Sequence, residues 1–406
     1  MIIQISWKNV WRNRTRSLII MIAILLGIFG GMFLLAFMQG MTEQRLSSAL
    51  KTEVSHIQIH SEKYLENNDF NQYMTDISAI DEYLSTDKRV QGYSTRIIIY
   101  SLAKTSEMGA GVRITGVDPE NEINVTDLNT KIIDGSYFEN TRGMPIVIGE
   151  KLAKKLKAKV RKKIVLQVQD TSGKTFPSAF RVAGIYKTTN TAFDEMNVFV
   201  RNKDLRELTG FNENNAHEIA IYLNNRENVT AVENDLESIF PAFTVESWSE
   251  GNAILAYMSE AMDQYLIIFI LIILFALFFG IANTMLMAIL ERRKELGMLM
   301  AIGMKRFKVF RMIMYETIFL SLVGAMLGII IAFLTITYFA KNGLNLSIWS
   351  EGLEAIGYDP IVYFQLDTSY LLQIVVMVII TGILASILPA IKALKLNPAD
   401  ALRIDN

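Results

Sequence analysis

The chain has 406 residues, 51% of them hydrophobic, a formal net charge of −1 and a mean hydropathy of +0.27. It is more apolar than a soluble domain needs, which points to membrane spans, and its near-neutral charge gives no global pull toward nucleic acid. The absence of cysteine excludes disulfides, thiolate metal sites and cysteine nucleophiles; His56, His60 and His217 are scattered, lack metal-ligand spacing and read as ordinary surface residues.

In chain order, residues 1–16 come first, with Ile3, Trp7, Val10 and Trp11 at helical spacing and Lys8, Arg12 and Arg14 between them. This pattern predicts an amphipathic elbow at the membrane interface, the alternative being a basic flank that only sets topology. Residues 17–42, 264–290, 317–340 and 368–391 contain no Asp, Glu, Lys or Arg. Each run exceeds the roughly 20 residues a spanning helix needs, so four transmembrane helices are expected. The first run follows Lys8, Arg12, Arg14 and Arg16 like a signal peptide, but it is too long for a cleaved one and reads as an uncleaved anchor. Periodic polar sequence at 40–51 and 252–263 extends the first two helices as stalks.

Between the stalks, 52–250 reads as a large α+β domain. Alternation predicts strands at 53–60, 96–103 and 111–116 with a helix at 76–84, then a strand at 218–223, a helix at 229–239 and a strand at 243–248. This order suits a split βαβ unit built from 52–117 and 217–250. Residues 118–216 would be an inserted, mainly β subdomain with strands at 145–148, 164–168, 180–186 and 197–200. Gly173-Lys174-Thr175 suggests a phosphate loop, but that loop needs glycine where Val168 stands, so a hairpin turn is expected.

The segment 291–311 holds seven basic residues against two acids, whereas 341–369 holds one against four. The positive-inside rule then places both termini and 291–311 in the cytoplasm, and the domain at 52–250 and the loop at 341–367 outside. The third and fourth helices fall at 312–340 and 368–391, followed by a tail at 392–406. Glu316, near the cytoplasmic end of the third helix, reads as an acid that snorkels toward a basic partner such as Arg311. Small residues recur four apart at Gly27 and Gly31, Gly324 and Gly328, Gly280 and Thr284, and Gly382 and Ser386. Such pairs let helices approach closely, either within the chain or against another chain. No nucleophile elbow or zinc-protease motif is present, so an enzyme in its own right is not expected.

Residues 291–305 read E-R-R-K-E-L-G-M-L-M-A-I-G-M-K, and the chain closes on Pro389-Ala390-Ile391-Lys392-Ala393-Leu394 and Asn397-Pro398-Ala399-Asp400-Ala401-Leu402-Arg403. These motifs, with one span before the large domain and three after, resemble the FtsX and MacB-like ABC permeases over essentially the whole chain. Ser55-His56-Ile57-Gln58-Ile59 and Gly116-Val117-Asp118-Pro119-Glu120 are most similar to the lipoprotein-releasing permeases LolC and LolE. The turn at about Asp170 to Ala179, with Phe176 and Pro177, is shorter than the carrier-binding hook of LolC-type chains, which leaves open a LolE-like partner role or a related exporter with another cargo.

The resemblance implies a membrane subunit in the bacterial inner membrane that pairs with a second permease, as a homodimer or heterodimer, and with a cytoplasmic ATPase dimer. That ATPase, not this chain, would bind ATP and Mg. The implied activity is release of lipoproteins toward a periplasmic carrier; a MacB-like efflux mechanotransmitter or an FtsX-like regulator of a cell-wall hydrolase is the alternative. The implied ATPase-coupling residues are Glu291, Arg292, Glu295, Gly297, Ala301, Gly303 and Lys305. Gly297 and Ala301 would share one face as a flat docking patch. An acyl-chain cargo would need an apolar opening near the outer ends of the first two spans, for which Phe33, Phe37, Met41, Met258, Met262 and Phe269 are candidates.

Overall fold

The computed structural model describes residues 2–12, 14–67, 69–139, 142–366 and 368–394. The closing signature from Asn397 to Arg403, and the tail beyond residue 394, lie outside these. The chain forms two compact units: residues 1–42, 260–345 and 361–406 in one, 43–259 and 346–360 in the other.

The first unit is helical. An elbow helix, Ile2–Arg12, precedes four helices long and apolar enough to cross a membrane: Arg14–Ala49, Ala253–Glu291, Arg306–Asn342 and Thr368–Leu394. The 36 residues of Arg14–Ala49 reach about 54 Å at helical rise, well beyond the hydrocarbon thickness, so the helix runs on past the span as the polar periodic sequence predicts.

Glycines set the contacts between these helices. A Cβ added at Gly324 would stand 2.9 Å from the Met21 carbonyl oxygen, and one at Gly328 would stand 3.0 Å from that of Leu25. The third helix therefore approaches the backbone of the first, which removing side chains makes possible. At Gly27 the corresponding atom would lie 2.5 Å from Leu277 Cδ2, and at Gly31 3.4 Å from Ile273 Cδ1, both on the second helix. Gly382 faces Ser321 across the third and fourth helices, whereas Gly280 meets nothing within 4 Å.

The second unit is built on one sheet. Its strands are β1 (Ile57–His60), β2 (Val90–Lys104), β3 (Gly109–Val117), β4 (Ile132–Gly135), β5 (Pro145–Gly149), β6 (Lys163–Gln169), β7 (Thr175–Tyr186), β8 (Asn197–Arg201), β9 (Glu218–Leu223) and β10 (Thr244–Ser247). Their order is β10, β1, β9, β2, β3, β8, β5, β7, β4, and β6 pairs with β2 and β7. Along β10, β1, β9, β2 each neighbouring pair is antiparallel, so β1 and β2 run parallel with β9 between them; with helices Ser78–Thr86 and Val229–Ile239 between strands in the chain, these four make the split βαβ unit. Both helices contribute to its core, through Ile80 and Leu84 on one and Val232 and Leu236 on the other.

Four expectations need correction. β2 is longer than 96–103 and belongs to both halves of the domain: Val90 to Arg96 pair with β9, and Ile97 to Lys104 pair with β3. β3, expected in the first subdomain, pairs in parallel with β8 of the second, so the inserted subdomain extends the same sheet and begins before residue 118. Residues 346–360, expected as a separate loop, join this unit, where Glu354 accepts from Lys187 at 3.1 Å. The three histidines are also not at the surface: His56, His60 and His217 are all at least 96% buried. The Gly173 segment is a hairpin turn between β6 and β7, with Asp170 Oδ1 accepting from Ser172 N and Lys174 N.

A buried charge cluster ties the two halves of the sheet together. Arg96 donates to Glu122 at 2.6 Å and to Glu218 at 2.7 Å, and Arg113 donates to Glu218 at 3.0 Å. Burial alone would raise the Glu218 carboxyl, but the two guanidiniums outweigh it and hold its pKa down to about 2.

Candidate coupling site

The second spanning helix ends at Glu291 and a short helix, Arg293–Ala301, follows. Gly303, at φ +102°, turns the chain into the third helix, which begins at Arg306; an L side chain would be strained there. The expected flat patch is not formed. Gly297 and Leu296 are buried against the unit, while Met298, Ala301, Ile302, Gly303 and Lys305 are exposed. Both residues lie on the helix at i, i+4 spacing, but packing covers Gly297 while Ala301, the last helical residue, is exposed, so the two do not share an open surface. The exposed C-terminal end of the short helix is apolar, with Ile302 77% exposed.

Of the remaining coupling candidates, Glu291 and Glu295 are exposed and Arg292 is half-buried. Arg292 does not point outward. Its Nη1 donates to both oxygens of Glu316, at 3.1 and 3.2 Å, and its Nε donates to Glu295 at 3.1 Å. Glu295 also accepts from Arg12 of the elbow. Its slight burial raises its pKa, but the two arginines outweigh that and leave the carboxyl below the usual range. Glu316 is therefore paired as expected, though not with Arg311. Five residues apart on a helix, the two point about 140° away from each other, and Arg311 instead donates to Tyr315 Oη at 3.1 Å.

The elbow packs on the same helix. Ser6 Oγ donates to the Met312 carbonyl at 3.0 Å, Asn9 Nδ2 to Met312 Sδ at 3.8 Å, and the Trp7 ring stands edge-on to Phe319 at 5.3 Å. Val10 is buried, whereas Ile3, Trp7 and Trp11 stay 43–53% exposed. Sequence reasoning missed this polar face of Ser6 and Asn9, since it followed only the apolar stripe. The available signal was a serine and an asparagine three apart, opposite the tryptophans.

The lipid candidates do not converge. Phe33 and Phe37 pack on Phe364, at 4.9 and 5.7 Å between ring centroids, and Phe33 also meets Phe339. These rings face the third helix and the segment before the fourth. Met262 is buried, and Met41, Met258 and Phe269 are half-buried. The apolar groove between the first two helices lies deeper: about 460 Å³, lined by Gly27, Gly30, Gly31, Ala276 and Gly280 among others.

Four spanning helices, a split βαβ outer unit and a short charged helix between the second and third spans define a multi-pass membrane permease. Residues 17–239 match the MacB-like periplasmic core domain family and residues 267–398 the FtsX-like permease C-terminal family. The chain belongs to the FtsX and MacB-like family of ABC transporter permeases. Membership implies partnership with a cytoplasmic ATPase and dimerisation. The chain is 24% identical to an uncharacterized ABC transporter permease of Methanocaldococcus jannaschii, covering 99% of this chain and 97% of that one. It is 22% identical to the lipoprotein-releasing system transmembrane protein LolC of Neisseria meningitidis serogroup B, covering 97% and 96%. A 33% identical stretch of 123 residues, 30% of this chain and 16% of the relative, is shared with the macrolide export ATP-binding/permease protein MacB of Escherichia coli.

Proposed function

We propose that this permease, in a bacterial inner membrane with both termini cytoplasmic, uses a separate ATPase to extract lipoproteins from the membrane and pass them toward a periplasmic carrier. ATP and Mg belong to the partner ATPase. The observation that carries the coupling part of this reading is the exposed apolar end of the short helix, Met298, Ala301 and Ile302, with Lys305 exposed just beyond it and Glu291 exposed at the helix's other end. Such a surface suits a protein groove, with the charges orienting the approach. Gly297 acts beneath it, as the small residue that lets the short helix lie against the unit. The cargo assignment is supported by the likeness to LolC along the whole chain.

Purification of the complex with its ATPase, followed by mass spectrometry, is expected to recover lipoproteins, and their consistent absence would remove the cargo assignment. The match to the MacB-like core domain favours one second reading, efflux driven through a periplasmic adaptor. Recovery of an adaptor and an outer-membrane channel in place of lipoproteins would establish it.

A further inference from the structure

We propose that Glu316, Arg292, Glu295 and Arg12 form a bracket that makes the third spanning helix and the elbow move with the coupling helix. The inference rests on the reading of 291–305 as the ATPase-docking segment and adds the route by which its movement enters the membrane unit.

Four alternating charges connect three elements. Glu316, 2% exposed on the third helix, is held by both oxygens on Arg292; Arg292 holds Glu295 on the short helix; Glu295 is held by Arg12 of the elbow. The elbow returns to the third helix through Ser6 and Asn9 on Met312 and Trp7 on Phe319. Met312, Glu316 and Phe319 are spaced four and three apart, so they share one face, and that face is gripped from both sides.

Adhesion alone does not explain the arrangement. A buried ion pair contributes little net stability compared with apolar side chains of similar size, so its charges give the contact orientation instead. The planar Arg292 guanidinium reaches Glu316 through Nη1 and Glu295 through Nε, so one rigid group spans the third helix and the short helix and limits their relative rotation. The covalent connection to the third helix is a turn rather than a continuous helix: it runs through Gly303, at a backbone angle few other residues adopt, and Lys305 in extended conformation. Without the bracket, a push on Met298 and Ile302 would be taken up by rotation at that turn. With it, the push reaches Glu316 directly, so Arg292 and Glu316 act as positioning residues.

The chain has no cysteine, so Glu237→Cys on the exposed face of an outer-domain helix gives one spin label per permease copy. In the full complex with its ATPase, the distance between the two labels is measured with and without ATP and vanadate. Glu316→Gln should keep the ATPase bound and hydrolysing within about twofold of wild type, while the nucleotide-dependent distance change falls about threefold or more. The reciprocal exchange, Arg292→Glu with Glu316→Arg, should restore most of that change, which a merely structural role would not predict. If Glu316→Gln does not assemble, Arg12→Ala, at a half-exposed position, should still reduce the change while leaving assembly intact.

A normal distance change in both Glu316→Gln and Arg12→Ala, or no recovery in the reciprocal exchange, overturns the bracket alone. A wild-type complex whose labels never respond to nucleotide overturns the coupling reading, and the bracket with it.

Discussion

His56 and His217 are held neutral by their hydrogen bonds as well as by burial. His56 Nδ1 accepts from Leu223 N at 2.9 Å; His217 Nδ1 accepts from Ile98 N at 3.2 Å while its Nε2 contacts the Phe70 carbonyl at 2.8 Å. A proton on either Nδ1 would oppose a backbone N–H. Desolvation lowers both pKa values to about 4 and shifts His60 in the same direction. With the folded values depressed, the unfolded chain takes up protons first as pH falls below 6.5. Stability is therefore complete above that pH and is lost between 6.5 and 4, by on the order of 3 kcal/mol for each fully shifted histidine. Asp194 works against this. Burial raises it to about 6, so its contribution grows as pH falls through that value. Asp81, Glu246 and Glu250 are raised by burial too, but the larger shifts are those of the two histidines, and the melting temperature of the full chain should fall on titration from pH 7 to 4. His217→Gln, which keeps a donor and an acceptor but does not titrate, should flatten part of that slope. An unchanged slope in the variant would remove His217 as a cause. None of this was legible in the sequence, because burial of a lone histidine depends on how β2, β9 and the segment near Phe70 come together.

At the scale of elements, small-residue spacing was readable but its partners were not. Gly324 and Gly328 face the first helix, and a Cβ there would meet its backbone oxygens, which cannot swing aside as a side-chain end can. Gly324→Ala should cost about 1–3 kcal/mol of membrane-unit stability, whereas Gly280→Ala, with nothing within 4 Å, should cost little. Thermal denaturation of the two variants in one detergent checks this; equal effects would contradict the close approach. Strands were legible where alternation is clean, as at β9, whose bounds are those expected. The start of β2 was not legible, because its pairing register shifts between Val90 and Gly92 and Gly92 lies against Asn124, which interrupts the alternation. In the coupling site, the motif located the segment. The inward turn of Gly297 and the Arg292 to Glu316 pair needed the packing of three helices, since a sequence shows which charges exist and not which face each other.

For the whole molecule, the functional reading depends on which side of the membrane 291–311 occupies. Charge on the short loops sets it: seven basic residues and two acids at 291–311 against one and four at 341–369. The outer domain contributes nothing to it, because long domains cross whatever their charge. The elbow agrees with this orientation, since its exposed tryptophans and flanking arginines suit a headgroup layer on the basic side. The cysteine-free background makes the test direct. Glu351→Cys, on an exposed position of the loop after the third helix, should react with a membrane-impermeant thiol reagent in intact inner-membrane spheroplasts. Lys305→Cys should react only after the membrane is opened. A periplasm-dependent reporter fused near Asn67 should be active, and one near Lys305 silent. Labelling of Lys305→Cys in sealed spheroplasts would place the apolar end of the coupling helix away from ATP. The whole assignment of 291–305 to an ATPase would then fail, however well the motif matched.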